Sequence, residues 1–343
     1  TVGVGCLIGG NMHTIHARNV NDAFVSGMKL LYEEGTPRRS RAGDVLEYPT
    51  CVATVYEKPW ERVLFNPVRD ANPFFHLMES LWMLRGQRDV QSMVRYNKRM
   101  DEYSDDGEVF HGAYGYRWRN HFSQDYRLLD QINIIIRRLK KDPIDRRCVL
   151  QMWDAPYDLN VNKVDIPCNT HVYFKLRDEL GHSSKYVHYF PKLHMTVCCR
   201  SNDIIWGAYG ANAVHFSMLQ QYIADSLGVA MGPYVQISDS FHAYKDIFDA
   251  YRIPEEGLPC HSRELYDNFS NTRFRIPRDL DFGDAMFYKS SFYKELIEPM
   301  TKAWDHWKNG EWQAAFDTVK SQMPIQDWRH ACLEWLERRK PNA

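Results

Sequence analysis

The sequence predicts an α/β protein folded as one large domain. Helix-period and strand-like segments alternate through the middle of the chain, no Pro/Gly/Ser-rich stretch is long enough to act as a linker, and no internal repeat or low-complexity tract divides the 343 residues. A chain of this length can bury a substantial core as one domain or as two. The missing linker favours one.

The clearest helix is expected over residues 72–84, where Phe75, Leu77, Met78, Leu81, Trp82 and Leu84 supply the apolar side and Gly86 follows as a stop. Glu79 is the lone carboxylate inside it. A second helix is expected over 126–140, ending before Asp142 and Pro143, and a third over 213–227, ending at Gly228. Strand-like stretches at 148–153, 171–176, 193–199 and 234–238 combine β-branched, aromatic and alternating residues. The polar insert 177–186 reads as the connection between two of these strands. Beyond about Tyr288 the pattern is again helical and carries Trp304, Trp307, Trp312, Trp328 and Trp335. This tail is expected to pack on the core or on a subunit rather than to form a catalytic module. The resulting organisation is an extension over 1–19, a catalytic domain over 20–288 and a helical, Trp-rich extension over 289–343.

Acidic and basic residues nearly cancel to a net charge of −1, which gives no electrostatic case for wrapping nucleic acid or lying on a membrane and leaves a small molecule as the easier partner. The eight cysteines are scattered, without a CxxC pair, and read as reduced thiols of a cytoplasmic protein. No apolar run reaches the roughly 18 residues that span a bilayer, and the amino terminus lacks the basic-then-apolar order of a signal peptide. His and Cys do not cluster at ligand spacings, so no metal site is expected.

Cys168 follows Pro167 just before a strand, and by itself it reads more readily as a buried structural residue. Its surroundings point to chemistry: Arg200, Ser201, Asn202 and Asp203 come one strand later, and Asp145, Arg146 and Arg147 open the strand before. Cations so placed suit phosphate binding and favour the thiolate, the competent nucleophile.

In their order and spacing these segments resemble the thymidylate synthase superfamily. The likeness runs from Arg39 and Gly43 through the Glu79–Gly86 block, Tyr114 to Trp118, Asp145 to Arg147, Pro167–Cys168, Arg200 to Asp203, Gly207 to Asn212, and His242 to Tyr244, covering roughly residues 20 to 250. The resemblance implies a twisted mixed sheet flanked by helices and a homodimer. It also implies transfer of a one-carbon unit from 5,10-methylenetetrahydrofolate to C5 of a pyrimidine nucleoside monophosphate. In that chemistry Cys168 adds to C6 and turns C5 into a nucleophile. Glu79 organises water and moves protons, although on local pattern it reads equally as a solvent-facing Glu. Asp203 contacts the pterin and Tyr114 lies near the base. Arg39, Arg200 and Ser201 bind phosphate, with Arg146 and Arg147 reaching in from the partner subunit; on local sequence these two read equally as a solvated corner. His242 and Tyr244 hold the sugar hydroxyl.

The chain departs from the synthases in ways that alter the expected product. Asn169 follows the nucleophile where the family has His, and Asn202 stands where it has Gly, as in phage deoxycytidylate hydroxymethylases. Met100 aligns with the tryptophan that shields the pterin, beside Trp206 and Gly207 on the cofactor side. The chain ends in a charged segment rather than a short apolar tail. A methyl product demands that water be excluded, whereas a hydroxymethyl product requires water to attack the same intermediate. The expected activity is therefore deoxyuridylate 5-hydroxymethylation, with Asn212 reading the uracil edge. The segment from Gly207 to Asn212 is one residue longer than the family spacing, so Ala211 competes for that place, and with it dCMP or CMP as substrate. Thymidylate synthesis also fits these motifs, and so does nucleotide binding by a catalytically silent relative that keeps the fold.

Overall fold

Among the described residues, eight strands form one mixed sheet: β1 (His13–Ala17), β2 (Thr36–Ser40), β3 (Gly43–Glu47), β4 (Val52–Tyr56), β5 (Val149–Gln151), β6 (Asn169–Ser183), β7 (Tyr186–Asp203) and β8 (Ala230–Tyr244). A computed structural model, the structure describes residues 11–123, 128–183, 186–250, 266–267, 274–277, 280 and 285–341. The strand order is β1-β4-β8-β7-β6-β5, and the β2–β3 hairpin joins the far end of β8 through β3. β1 runs parallel to β4 and β7 parallel to β8, while the remaining pairs are antiparallel.

The strands differ in length from their sequence patterns for identifiable reasons. β6 and β7 stay paired as far as Ser183 opposite Tyr186, so the polar insert is a hairpin extension of the sheet and not a loose connection. β7 also continues past Cys199 to Asp203, because Ser201, Asn202 and Asp203 remain in register with Ser240, Phe241 and His242 of β8. β5 is shorter than expected, since the N–H groups of Met152 and Trp153 both turn to the carbonyl of Thr170.

The helices around the sheet include α1 (Val20–Glu34), α2 (Pro73–Leu84), α3 (Tyr114–Arg119), α4 (Gln131–Lys141), α5 (Asn212–Leu227), α6 (Glu298–Lys308), α7 (Trp312–Gln322) and α8 (Asp327–Glu337). The side chain of Asn72 accepts the Phe75 N–H and Pro73 fills the first turn, which fixes where α2 begins. Every residue of α2 is buried, Glu79 included. Helix α3 lies against the end of α2 because residue 115 is glycine; a Cβ there would sit 2.1 Å from the Met83 carbonyl oxygen. α4 starts later than its periodicity suggests, where Asp130 accepts the Asn133 N–H, and Tyr126 lies outside the described residues. α5 ends at Gly228, whose φ of +75° is the left-handed conformation that terminates helices.

The carboxy-terminal helices pack on α2. Trp304 and Trp335 each place their ring centres 5.6 Å from that of Phe74, and the Trp304 indole N–H donates to the Arg95 carbonyl at 3.2 Å. Arg338 and Arg339 both pair with Asp70, a non-glycine residue at φ +48° just before α2. No helix among the described residues is long and apolar enough to cross a membrane.

Candidate active site

The loop before β6 and the end of β7 carry Cys168, Ser201, Asn202 and Asp203 to one side of a cavity of about 550 Å³, roofed by α2, α5 and the end of α8. Of the residues singled out from sequence, Cys168, Glu79, Asp203, Tyr114, Ser201, Asn202, Asn212, Met100, Trp206 and Gly207 line it.

Cys168 is held by backbone pairing on both sides of its loop. The Arg200 N–H donates to the Cys168 carbonyl at 2.9 Å, and the Arg200 guanidinium donates to the carbonyls of Pro167 and Ile166. The sulfur is partly open to the cavity although protein surrounds the loop. Burial pushes its pKa up, with Arg200 and Arg41 opposing and Asp165 and Asp203 adding to the rise. Within the single chain, desolvation outweighs the pull of these two arginines.

A one-way chain of side-chain hydrogen bonds crosses the floor of the site. The Cys199 thiol donates to Asn169 Oδ1 (2.8 Å), Asn169 Nδ2 to Asn212 Oδ1 (3.3 Å), Asn212 Nδ2 to Asn202 Oδ1 (3.1 Å) and Asn202 Nδ2 to Ser238 Oγ (2.8 Å). Asn169 is fully buried behind the wall. The extra residue before Asn212 is absorbed by an irregular, wide helical turn over Ile204–Ala211 with a kink at Gly210. Gly210 permits the kink because a Cβ there would press on the Ile205 carbonyl and the Arg69 side chain, both at 3.1 Å. Both Asn212 and Ala211 reach the cavity, but only Asn212 joins the amide chain.

Glu79 faces the cavity, not solvent. Its Oε2 lies 2.9 Å from His215 Nε2 without the alignment of a hydrogen bond, so both atoms are buried near each other with their hydrogen-bonding capacity unspent. His76 sits beside this pair, its pKa held well below the usual histidine range by burial and by Arg69 and His215. A carboxyl group with an unused oxygen beside an imidazole is suited to holding a water and passing protons.

Across the cavity, Asp203 uses Oδ1 to accept the N–H groups of Ile205 and Trp206 at 3.0 and 2.6 Å, while Oδ2 is buried without a well-formed hydrogen bond. Burial raises its pKa despite the Trp206 N–H and the His242 ring. Trp206 exposes 41% of its surface, with the Arg69 guanidinium stacked at 4.1 Å. A flat indole beside an orphaned acceptor fits a pterin ring, which stacks and donates N–H bonds. Met100 completes this side from a short helical turn over Lys98–Tyr103.

The remaining sequence candidates do not line the cavity. His242 pairs with Asp203 in the sheet register and bonds Ser240, with Tyr244 edge-on to it. Arg39 is exposed on the β2–β3 hairpin, whose outer edge turns its side chains to solvent. Arg200 is committed to the Cys168 loop. Arg147 pairs with Asp145, and Arg146 is exposed on the same corner. Sequence reasoning passed over His215, which falls one helical turn after Asn212, Asp165, which precedes the Pro-Cys pair, and Arg41. The tail was expected to pack on the core without any of its residues singled out, and Trp335 and Arg339, spaced i, i+4 on α8 and just past it, line the cavity.

A partly accessible thiol, a hydrogen-bonded amide and buried carboxyl groups thus share one cavity. The thymidylate synthase family model matches residues 68–258. The deoxyuridylate hydroxymethyltransferase of Pseudomonas phage M6 is 41% identical over 350 residues, spanning 96% of this chain and 95% of that protein. That of Bacillus phage SP01 is 34% identical over 335 residues, 95% of this chain and 83% of that protein. A putative thymidylate synthase of Methanosarcina mazei is 29% identical over 244 residues, 71% of this chain and 95% of that protein. The chain belongs to the thymidylate synthase family. It is a folate-dependent one-carbon transferase, with methylenetetrahydrofolate as cosubstrate.

Proposed function

We propose that the protein is a deoxyuridylate 5-hydroxymethylase. The observation that carries the choice of base is the one-way amide chain. The Cys199 thiol donates into one end of it, and in this arrangement Asn212 presents one N–H and one oxygen lone pair to the cavity. An N–H facing O4 and an oxygen facing the N3–H group match uracil. Cytosine presents the reverse pattern, and turning the amide over breaks two hydrogen bonds. The names of the phage relatives support the same base and the same product.

In this reading Cys168 attacks C6, and C5 attacks the folate-borne carbon. Glu79, through its water, moves protons at the C4 carbonyl side. Asp203 and Trp206 hold the pterin, and His242 and Tyr244 hold the sugar. No arginine of the expected phosphate set reaches the cavity within one chain. We infer that the molecule works as a homodimer in which the exposed corner bearing Arg146 and Arg147 completes the partner's phosphate site, as the family resemblance implies. Met100 stands where the family resemblance puts the shielding tryptophan, which supports attack by water over hydride.

Turnover of dUMP with methylenetetrahydrofolate in ¹⁸O-labelled water tests the product. The expected result is a 5-hydroxymethyl nucleotide carrying the label, with tetrahydrofolate released. Stoichiometric dihydrofolate and an unlabelled methyl product would instead make the protein a thymidylate synthase.

A further inference from the structure

We propose that Asp165 is the general base that takes the proton of the water attacking the exocyclic carbon, an assignment that rests on the hydroxymethylase reading above. Asp165 lines the cavity three residues before Cys168. Its Oδ2 accepts the Gly112 backbone N–H at 2.8 Å, which pins the carboxyl group. Oδ1 makes no hydrogen bond among the described residues and is not sealed away from the cavity. Residue 112 has to be small for this arrangement: a Cβ there would lie 3.0 Å from Oδ1 and 3.1 Å from the carboxyl carbon. Gly112 does not adopt a positive φ, so close approach rather than backbone conformation is what requires glycine.

The other three carboxyl groups that line the cavity are less suited to this step, and Asp70 is paired with Arg338 and Arg339. Asp203 has Oδ1 occupied by two backbone N–H groups and sits against the pterin side at Trp206. Glu79 lies on α2 beside His215, on a different wall from the Cys168 loop. Asp165 is close enough to the nucleophile for its charge to push up both the Cys168 thiol and the Tyr114 hydroxyl. Burial lifts its own pKa to about 6, against the pull of the Gly112 N–H, His111 and Arg117 and with a further push from Asp105. A carboxyl group in that range is mostly ionised near pH 7 and still basic enough to accept a proton.

The step balances. Water oxygen bonds to the exocyclic carbon, and the displaced electron pair moves through C5 onto the C4 oxygen, while the water proton passes to Asp165. Collapse of the enolate restores the carbonyl, forms the C5–C6 double bond and expels the Cys168 thiolate from C6. The proton on Asp165 then returns to the sulfur, directly or through water, leaving a neutral thiol and an ionised carboxylate. No oxidant or reductant is consumed.

The test separates formation of the methylene intermediate from its hydration. Under single-turnover conditions with methylenetetrahydrofolate and dUMP tritiated at C5, tritium release reports formation of the intermediate, and mass analysis reports the hydroxymethyl nucleotide. Asp165→Asn keeps an acceptor for Gly112. It is expected to release tritium at close to the normal rate while the hydroxymethyl product forms about 100-fold more slowly. Added 2-mercaptoethanol should divert the stalled intermediate to a thioether nucleotide. Gly112→Ala, which displaces the carboxyl group without removing it, should give a milder form of the same split, and Asp165→Glu should partly restore hydration. In the unsubstituted enzyme, hydration should fall on the acid side with a midpoint near pH 6, and that limb should be absent from the residual activity of Asp165→Asn. Parallel loss of tritium release and product would make Asp165 a structural anchor only, and unchanged hydration would remove it from the step. A methyl product from the unsubstituted enzyme would overturn the hydroxymethylase reading itself, an outcome visible before any variant is made.

Discussion

The two walls of the cavity are built on different principles. The nucleophile wall comes from the ends of β6 and β7, where Cys168, Asn169, Arg200, Ser201, Asn202 and Asp203 are fixed by strand register and by side-chain bonds to Asn212. The opposing wall is assembled from Asp70, Met100, Trp335 and Arg339, which meet only because the carboxy-terminal helices fold back onto α2. Reactive groups are placed by local backbone pairing, and access to them is set by long-range packing. A fault in the first should therefore affect chemistry, and a fault in the second should affect folate handling and the exclusion of solvent.

The largest effect is expected at the nucleophile wall. Cys168→Ser should abolish turnover while dUMP binding, measured calorimetrically, stays close to normal, because charged contacts rather than the thiol supply the anchoring. Mixing that variant with an equally inactive Arg147→Ala chain should regenerate activity in heterodimers that combine one intact thiol with one intact corner. Near-normal turnover of Cys168→Ser would remove the thiol from the mechanism, and failure of complementation would sink the shared phosphate site.

An intermediate effect is expected where the nucleophile wall meets α5. Asn212→Asp should lower kcat/KM for dUMP and raise it for dCMP, since a mispaired buried polar group costs about 1 to 3 kcal/mol, enough to invert a modest preference. Equal loss on both bases would mean that residue 212 does not read the ring edge.

The smallest effect belongs to the packed wall. The Arg339 pair with Asp70 is partly solvent-exposed and is worth about 1 kcal/mol at most. Arg339→Ala should therefore leave the melting temperature nearly unchanged, raise KM for the folate several-fold and leave KM for dUMP alone. An equal rise in both constants would show that the two walls are not functionally separate.

The same division explains what was legible in the sequence. Cys168, Glu79, Asp203 and Tyr114 sit in short blocks whose order resembles that of the thymidylate synthase family, and that resemblance implied their convergence, although Glu79 and Tyr114 lie on helices and the other two at strand ends. Asn212 was legible despite the extra residue, because a wide helical turn and Gly210 absorb the insertion locally. Trp335 and Arg339 were not, because their place in the site depends on contact with Phe74 and Asp70, more than 200 residues earlier, and no local periodicity encodes that contact. The charge state of Cys168 is hidden for a related reason. Counting arginines in sequence omits the desolvation that overrides them, and Arg200 spends its guanidinium on two carbonyls.

The amide chain ends at Ser238, a group that can either give or take a hydrogen bond. If residue 212 became a carboxylate, it would have no N–H for Asn202 Oδ1, and the Asn202 amide would have to turn over to donate to it. Ser238 can answer by rotating its hydroxyl to donate where it had accepted, at little cost. A change of base preference would then travel through the protein no further than this one hydroxyl, which leaves uracil and cytosine specificity separated by a short mutational distance.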